Sequence, residues 1–481
     1  MKSQQNLVGD PAAGKVKKLQ IVGIIAAAVI LAGMFLVPTS EALPYEARNT
    51  LGVLLAVVIL LITEAFPLGI VCLSAISMLY FFGCVKTVPE ALSGFTNATL
   101  FFLLASFGIS EALTAVPVST RLLLVLMKKF GRNINQMLFA VMLVTAAISS
   151  VISNVAAAAM FIPLVNNFMC IYDDEESRRR SRRAFMIALP VASMIGGMVT
   201  PAGSSISILT ISMLEKYTGT TIPFVHWMLM GAPLAVIMLP VAWFFCARVL
   251  KPAPLTEKQI ADYAKEIKTQ IPAKMTAKEI YVLSVVLVLL VLWILSSWVP
   301  FLQVAAVSLA GLLLLFLPGK TAVLTWKDFT RSVSLPAFLL MGTMISIGNI
   351  VTSSGLGAWI SQVIFPSGFV SVTPLVIAFV ALMTFVLLIP IPVSAALITM
   401  LAGPLVAFCE SVGVSPVLIM AAFGLCASNC YLLPLDTVPL MTFSTGAYGM
   451  FDMPKATVWI QIVMIIVSSL WLSAVGLILG C

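Results

Sequence analysis

The sequence predicts an all-α polytopic membrane protein, and its composition and the length of its apolar segments are the two observations that predict it. Of the 481 residues, 61% are hydrophobic and only 10% are charged, whereas about a quarter are charged in an ordinary soluble domain. Apolar runs of about 20 residues, enough to cross the hydrocarbon core of a bilayer, recur along the chain. The clearest lie at 21–37, 227–247, 281–299, 301–317 and 457–479.

The distribution of basic residues predicts the orientation of the chain. If the N-terminus is cytoplasmic, all but four of the 27 Lys and Arg residues fall in cytoplasmic segments, including RRRSRR (178–183). The four are Arg48, Lys86, Arg121 and Lys216. Such asymmetry follows the positive-inside rule, and anionic headgroups account for the net charge of +8. We expect an extracytoplasmic C-terminus, membrane lipids rather than nucleic acid as partners, and a bacterial inner membrane as the location.

Interruptions of the apolar segments divide the chain into two similar halves. In the first half, ISSVISNVAAAAMFIPL (148–164) precedes the break TPAGSS (200–205). In the second, LIPIPVSAALITMLAGPL (388–405) precedes the break LPLDTVP (433–439). Paired breaks at corresponding positions indicate a transporter built from repeats, although Pro and Gly also kink ordinary membrane helices.

Two inverted repeats, each with a re-entrant hairpin and a broken helix, then organise the chain, with about eleven full spans in all. The longest polar stretch reads as a cytoplasmic linker, with a short surface helix at 256–268. The predicted divisions are a cytoplasmic tail at 1–20, the first helix and first repeat at 21–250, the linker at 251–279, and the second repeat at 280–481.

Three acidic residues fall within apolar runs, where a charge is costly and therefore worth interpreting. Glu64 precedes a proline and is expected to cap a helix or pair locally, and Glu111 is expected to pair with Arg121. Asp436 differs, because it lies in a predicted helix break between two prolines. There a carboxylate and freed carbonyl groups could ligate a cation, or the carboxyl could take up a proton; a satisfied buried acid is the alternative.

Ser153 and Asn154, inside the first small-residue segment, indicate a hairpin tip within the membrane. Exposed backbone groups at such a tip are tolerable only where they line a cavity or bind something. Serine and asparagine supply oxygens for Na⁺ and an amide donor for a substrate carboxylate, and the alanines that follow let the arms approach closely. Half-helix N-termini after the two breaks would face an anion. The sequence contains no enzyme, nucleotide-binding or metal-cofactor motif.

At these residues the chain resembles the divalent anion:sodium symporter family, the dicarboxylate, citrate and sulfate carriers. LLITEAFPLGIVCLSAISMLYFFGCV (60–85) is similar to the family's TEAIPLPVT segment, and SGFTNATLFFLLASFGISEAL (93–113) to its SGFSNPTVWL region. TWKDFTRSVSLPAFLLMGTMISIGNIVTSSGL (325–356) resembles the counterpart in the second repeat. The resemblance covers almost the full length, and it implies a homodimer that works by alternating access.

The family carries a Ser-Asn-Thr motif at each hairpin tip and a Thr-Pro-rich loop in each broken helix. The resemblance assigns a first sodium site to Ser149, Ser153, Asn154 and Gly203. It assigns the substrate to Asn154, Thr200, Ser204, Ser394 and Thr437.

The second half departs from the family pattern. Pro390, Ile391 and Pro392 occupy the second Ser-Asn-Thr position, so Ser394 is the nearest hydroxyl, and Asp436 replaces a small neutral residue. Proline and isoleucine side chains offer no oxygen to a cation. The second sodium site is therefore expected to be absent or rebuilt around Asp436.

These observations predict a secondary transporter of small organic anions, most simply di- or tricarboxylates, with Na⁺ as the coupling ion and no other cofactor. Three alternatives remain. The first is a cation-independent anion exchanger on the same scaffold, and the second is a Na⁺/H⁺-type antiporter or proton-coupled carrier that uses Asp436. The third is a membrane receptor that transports nothing. A monocarboxylate or sulfonate substrate also remains open.

Overall fold

The regular secondary structure in the described part of the chain is all helical. It consists of α-helices joined by irregular connections, and of two short 3₁₀ turns at Ser93–Thr96 and Pro201–Gly203. The computed structural model describes residues 11–40, 43–63, 65–269, 271–299, 301–319, 322–357, 359–360, 372–391 and 393–479, with the side chains of 11–19 left out. The helices of the first half are α1 Pro11–Met34, α2 Tyr45–Ile62, α3 Leu68–Phe81, α4 Val88–Ala91, α5 Ala98–Thr114, α6 Val118–Phe130, α7 Ile134–Ser149, α8 Asn154–Met169, α9 Glu175–Gly196, α10 Ser205–Thr218 and α11 Phe224–Leu250. Those of the linker and second half are α12 Glu257–Thr269, α13 Ala277–Leu295, α14 Val304–Leu315, α15 Trp326–Ser332, α16 Leu335–Ser353, α17 Thr373–Leu387, α18 Ser394–Val412, α19 Pro416–Ala427, α20 Thr437–Phe443 and α21 Asp452–Leu479.

The predicted fold class is confirmed. Among the described residues, six helices are long and apolar enough to cross a membrane, and α5 with α6, bent by 60°, makes up to seven. The six are α2, α11, α13, α16, α18 and α21. Several shorter apolar helices, such as α3 and α14, accompany them, and the count of about eleven spans stays a prediction.

The chain forms two compact units. The smaller unit lies within residues 1–97, 335–366 and 399–404. In it α2 packs between α1 and α3, and α16 packs on α3. The Ser93–Thr96 turn lies against α16, where the Gly94 amide donates to the Ser346 hydroxyl at 2.9 Å. A side chain at Gly94 would collide with the backbone of α16. Glu64 lies outside the described residues.

The larger unit holds the remainder of the chain, including both predicted breaks. Its helix α5 packs on α14, and Phe102 and Phe224 pack on the buried ring of Trp293. Both α7 and α8 pack on α9, while α21 packs on α11 and α17. In each unit, a helix of one predicted repeat packs on a helix of the other, α16 on α3 and α5 on α14. Interlocked repeats would pack in this way, and the repeat itself stays a prediction.

The linker is anchored to the larger unit by the helix predicted within it. The surface helix expected at 256–268 is confirmed as α12. Tyr263 of α12 donates its hydroxyl to the carbonyl of Leu164 at 3.1 Å and packs on Phe168. The linker helix therefore contacts the end of α8, an arm of the first predicted hairpin.

The prediction that Arg121 pairs with Glu111 is wrong. Its guanidinium pairs with Glu279 at the start of α13, not with Glu111, and also donates to the carbonyls of Pro272 and Lys274. The bend between α5 and α6 directs Arg121 toward the linker. Arg121 therefore lies at the end of the linker segment 251–279.

Replacing Glu279 with glutamine should destabilise the protein, because the Glu279 side chain is fully buried and Arg121 would lose its only carboxylate partner in the described part of the chain. The substitution leaves the Arg121 guanidinium without a counter-charge at this contact. We expect the melting temperature of the purified protein to fall by several degrees. Asp262→Asn, which removes an exposed i,i+3 pair with Lys265, is the control and should change little. Equal melting of E279Q and D262N would contradict this role.

Candidate functional site

The first predicted break and the first predicted hairpin tip lie together in the larger unit. Helices α7 and α8 have 16 residues each, so each is about 24 Å long and shorter than the hydrocarbon core. They meet at a tip formed by residues 150–153. Helix α9 ends at Gly196 and α10 begins at Ser205, which confirms the predicted break. The tip packs against this break through the contacts described below.

Asn154, the first residue of α8, is the centre of these contacts. Its amide nitrogen donates to the carbonyls of Gly203 at 2.9 Å and Ser193 at 3.1 Å, and to the hydroxyl of Ser149 at 2.7 Å. The hydrogen-bond network assigns this amide orientation. The hydroxyls of Ser149 and Ser193 are 3.1 Å apart, and Ser193 donates to the Asn154 carbonyl at 2.6 Å. Asn154 thus joins the tip to both ends of the break.

Two glycines permit this close approach. A Cβ atom on Gly197 would lie 2.0 Å from the Asn154 side chain. A Cβ atom on Gly203 would lie 2.7 Å from the Ser149 carbonyl oxygen and 2.9 Å from the Gly197 carbonyl oxygen. No side chain fits at either position without movement of the backbone or of Asn154. The absence of a side chain at Gly203 thus lets the carbonyl oxygens of Ser149 and Gly197 lie close to this residue, whose own carbonyl faces the Asn154 amide.

The other predicted residues of the first half complete the cluster. Thr200 donates its hydroxyl to the Ser150 carbonyl at 2.5 Å, and Ser204 caps α10 by accepting from the Ile206 amide. Ser153 precedes α8, is half-buried, and makes no capping hydrogen bond with its side chain. Thr200 and Ser204 are buried. All the first-half candidates thus lie at the tip or at the break.

The second break differs from the first in position and chemistry. Helix α19 ends at Ala427 and α20 begins at Thr437, so the break covers 428–436 and starts earlier than the predicted 433–439. Buried Ser394, the first residue of α18, donates to the Ala427 carbonyl at 2.8 Å. Asp436 is half-buried, caps α20 through the Val438 amide at 3.4 Å and contacts the Ser394 hydroxyl. Thr437 is exposed.

The broken helices of the two halves pack on each other. Helix α10 packs on α19, where Gly424 faces Thr210, and α20 packs on α8 and α9. Both hairpin tips and both breaks therefore belong to one compact unit. Pro392, at the second predicted tip, lies outside the described residues.

Sequence reasoning missed three residues of these clusters. Ser193 and Gly197 lie in the small-residue stretch ASMIGGM before the first break, a signal of close packing that could have marked them. Asn429 is fully buried in the second break, donates to the Leu425 carbonyl at 2.7 Å, and has no partner for its Oδ1 atom among the described residues. The Ser428-Asn429 dipeptide repeats the Ser-Asn signal of the first tip.

The first cluster has the ligand chemistry of an alkali cation. If the Asn154 amide turns over, its oxygen faces the oxygens of Ser149, Ser193 and Gly203 at 2.7–3.1 Å. The Ser149 hydroxyl can donate to this oxygen, but the carbonyl oxygens of Ser193 and Gly203 cannot, so a cation among them would relieve their repulsion and the oxygen ligands suit sodium. Across the described residues, no three His, Cys, Asp or Glu side chains are grouped to hold a transition metal.

Replacing Gly197 with alanine should displace the Asn154 side chain, since no space exists for the added methyl group. Overpacking of this kind costs about 1–3 kcal/mol, so the purified protein should melt at a lower temperature. Gly33→Ala is the matched control, because a Cβ atom at Gly33 meets no atom within 4 Å. A G197A protein as stable as G33A would show that this close approach is not required.

Comparison with known proteins gives a single family. The family described as "Sodium:sulfate symporter transmembrane region" matches residues 18–481. The sodium-dependent dicarboxylate transporter SdcS of a bovine strain of Staphylococcus aureus is 24% identical over 469 residues, covering 93% of this chain and 89% of that protein. The same transporter from strain USA300 is 23% identical with the same coverage.

Two solved structures share the fold. The YdaH transporter of Alcanivorax borkumensis has a TM-score of 0.54 at 14% identity and covers 98% of this chain and 99% of its own. The second is MtrF of Neisseria gonorrhoeae, whose structure is described as illuminating a class of antimetabolite efflux pumps. It has a TM-score of 0.54 at 13% identity, and the match covers 97% of this chain and 95% of MtrF. Since the family pattern matches nearly the whole sequence, the chain belongs to the sodium:sulfate symporter transmembrane family and is a membrane transporter, not an enzyme.

Proposed function

We propose that the chain is a secondary active transporter of small organic anions, di- or tricarboxylates, driven by Na⁺ through at most one site of the family type. The relatives named as sodium-dependent dicarboxylate transporters support this substrate class and this coupling ion. Transport would follow alternating access, as in other carriers with broken helices. We further propose a homodimer in a bacterial inner membrane, with a cytoplasmic N-terminus and an extracytoplasmic C-terminus.

The convergence of oxygens around Asn154 is the observation that carries the sodium site. Ser149 supplies a hydroxyl, Gly203 supplies a carbonyl, and Asn154 supplies an amide that presents either its nitrogen or its oxygen. Ser153, which directly precedes Asn154 at the tip, would add a second hydroxyl. Hydroxyl and carbonyl oxygens are hard ligands suited to Na⁺, and unwound backbone often provides them in transporters. Without Na⁺, the side-chain N–H groups of Asn154 hold these oxygens together; with Na⁺ bound, the amide would turn over and the ion would take that place.

The start of α10 is the favoured position for one carboxylate of the substrate. Ser204, a neutral residue, caps this helix, so its positive end can attract an anion. The start of α20 is less suitable, because the Asp436 carboxylate already caps it and would repel a second anion. Asn154 and Thr200 are candidates near this end, although the Thr200 hydroxyl already donates to the Ser150 carbonyl. Ser394 and Thr437 stay candidates, although the Ser394 hydroxyl is occupied by Ala427.

Asp436 is proposed to replace the second sodium site. Its carboxylate contacts Ser394 in the region where the family motif is lost, and it can be charged, protonated or paired with a cation. The Asn429 side-chain oxygen, which is buried and has no hydrogen-bond partner among the residues that the structure describes, offers a further ligand in the same break. A fixed or titratable negative charge in this break would alter the number of ions that accompany each substrate.

Ser149→Ala should weaken sodium coupling, because it removes one hydroxyl from the oxygen cluster. In proteoliposomes with an inward Na⁺ gradient, we expect the sodium concentration for half-maximal succinate uptake to rise about tenfold, equivalent to about 1.4 kcal/mol. Ser150→Ala is the matched control, since that hydroxyl is on the same tip but bonds locally to Ala147.

The wild-type protein distinguishes the rival functions in the same assay. Uptake of succinate or citrate should depend on the Na⁺ gradient, and sulfate is assayed beside them as an inorganic anion. Uptake that requires internal substrate but no cation would identify an exchanger, and uptake driven by a proton gradient alone would identify a proton-coupled carrier. Sodium flux without anion flux would identify a Na⁺/H⁺-type antiporter. An unaltered sodium dependence in S149A would remove Ser149 from the site.

Asp436→Asn should change the ion dependence of transport while leaving an N-cap residue at the start of α20. We expect the pH dependence or the sodium stoichiometry of uptake to shift, because the titratable negative charge is lost. Glu410→Gln removes an exposed carboxylate from α18 and should have no such effect. If the pH profile and the sodium stoichiometry of D436N match those of the wild type, Asp436 has only a capping role.

A further inference from the structure

A cavity of about 480 Å³ lies at the polar end of α9, away from the clusters described above. Glu176, Arg179, Arg180 and Arg183 of α9 line one wall. These positions are spaced i, i+3, i+4 and i+7, so they share one helix face. The opposite wall consists of the turn 446–449 and of Asp452, the first residue of α21.

The cavity has guanidinium groups that its own acidic residues do not neutralise. Asp452 is held by Lys455 at 2.7 Å and by the Gly449 amide at 2.9 Å, and it lies 3.8 Å from Arg183. The buried Nε atom of Arg183 has no hydrogen-bond partner in the described part of the chain. Arg179 and Arg180 are exposed at the cavity.

Neighbouring arginines have different structural roles. Arg178 pairs with Glu175, and Arg182 donates to the Asn166 side chain at 3.0 Å and to the Thr445 carbonyl at 3.2 Å. These two side chains stabilise the end of α9 and its contact with α8. The three guanidiniums that line the cavity are therefore a distinct set within the RRRSRR segment.

An apolar surface continues from the cavity along α21. Trp459 and Ile466 follow Asp452 at intervals of seven residues, so all three lie on one helix face. Trp459 and Ile466 are each 53% exposed, and Phe451 beside the cavity is 76% exposed. Trp459 lies about 10 Å along the helix from Asp452. The basic cavity thus lies at the level where the apolar surface begins.

We propose that this cavity binds the phosphate of an anionic phospholipid headgroup, with the acyl chains along Trp459 and Ile466. Guanidinium forks match phosphate oxygens in geometry and charge. Basic pockets at the ends of membrane helices recognise anionic headgroups in this way. A free phosphate ion would use the arginines but not the apolar surface, and the adjoining surface therefore favours a lipid.

The test is lipid-dependent thermal stability of the full-length protein in detergent. Dioleoylphosphatidylglycerol should raise the melting temperature of the wild type more than dioleoylphosphatidylcholine, which has the same chains and no net charge. The double variant R179Q/R180Q should need about tenfold more phosphatidylglycerol for half of the effect. Its melting temperature without added lipid should be unchanged, because both side chains are exposed.

The control K128Q/K129Q removes two exposed basic charges at the end of α6, outside the cavity. It should retain the phosphatidylglycerol response of the wild type. An undiminished response in R179Q/R180Q, or an equal loss in K128Q/K129Q, would overturn the proposal. Inorganic phosphate, added alone, should not reproduce the stabilisation; if it does, the cavity is a site for free anions and the lipid assignment is wrong.

Discussion

The fold depends on satisfying the backbone groups that two interrupted helices leave unpaired in an apolar environment. An unsatisfied polar group costs about 1–3 kcal/mol when buried, and lipid offers it no partner. At the first break, Asn154 donates to the carbonyls of Ser193 and Gly203, Thr200 donates to the carbonyl of Ser150, and the Trp227 indole donates to the carbonyl of Met198. The same interactions that make the interruption tolerable also gather oxygens in one place.

The second break satisfies its backbone with different groups, and the difference bears on transport. Ser394 and Asn429 donate to carbonyls at the end of α19, and Asp436 caps α20. Where the first break has neutral oxygens, the second has a carboxylate. Two related breaks that differ in charge would bind ions unequally. This difference is the physical reason for proposing fewer coupled sodium ions than in a transporter with two family-type sites, and for proposing a separate role for Asp436.

Local patterns in the sequence predicted most of the helical architecture, because apolar length and Pro, Gly and Ser interruptions are local properties. The first break and the linker helix were placed correctly. The Arg121 partner was wrong, since the 60° bend after α5 redirects α6 toward the linker. Ser193 and Gly197 were missed because their importance depends on an approach to Asn154, about 40 residues earlier in the chain, that no local pattern contains.

Direct sodium binding to the purified protein tests the central claim, that the polar groups joining the first hairpin tip to the first break form a cation site. Isothermal titration of NaCl into protein in choline chloride should give saturable heat for the wild type. Asn154→Ala should abolish that heat, because it removes the group that contacts both sides of the break. Saturable binding of equal affinity in N154A, or none in the wild type, would contradict the account.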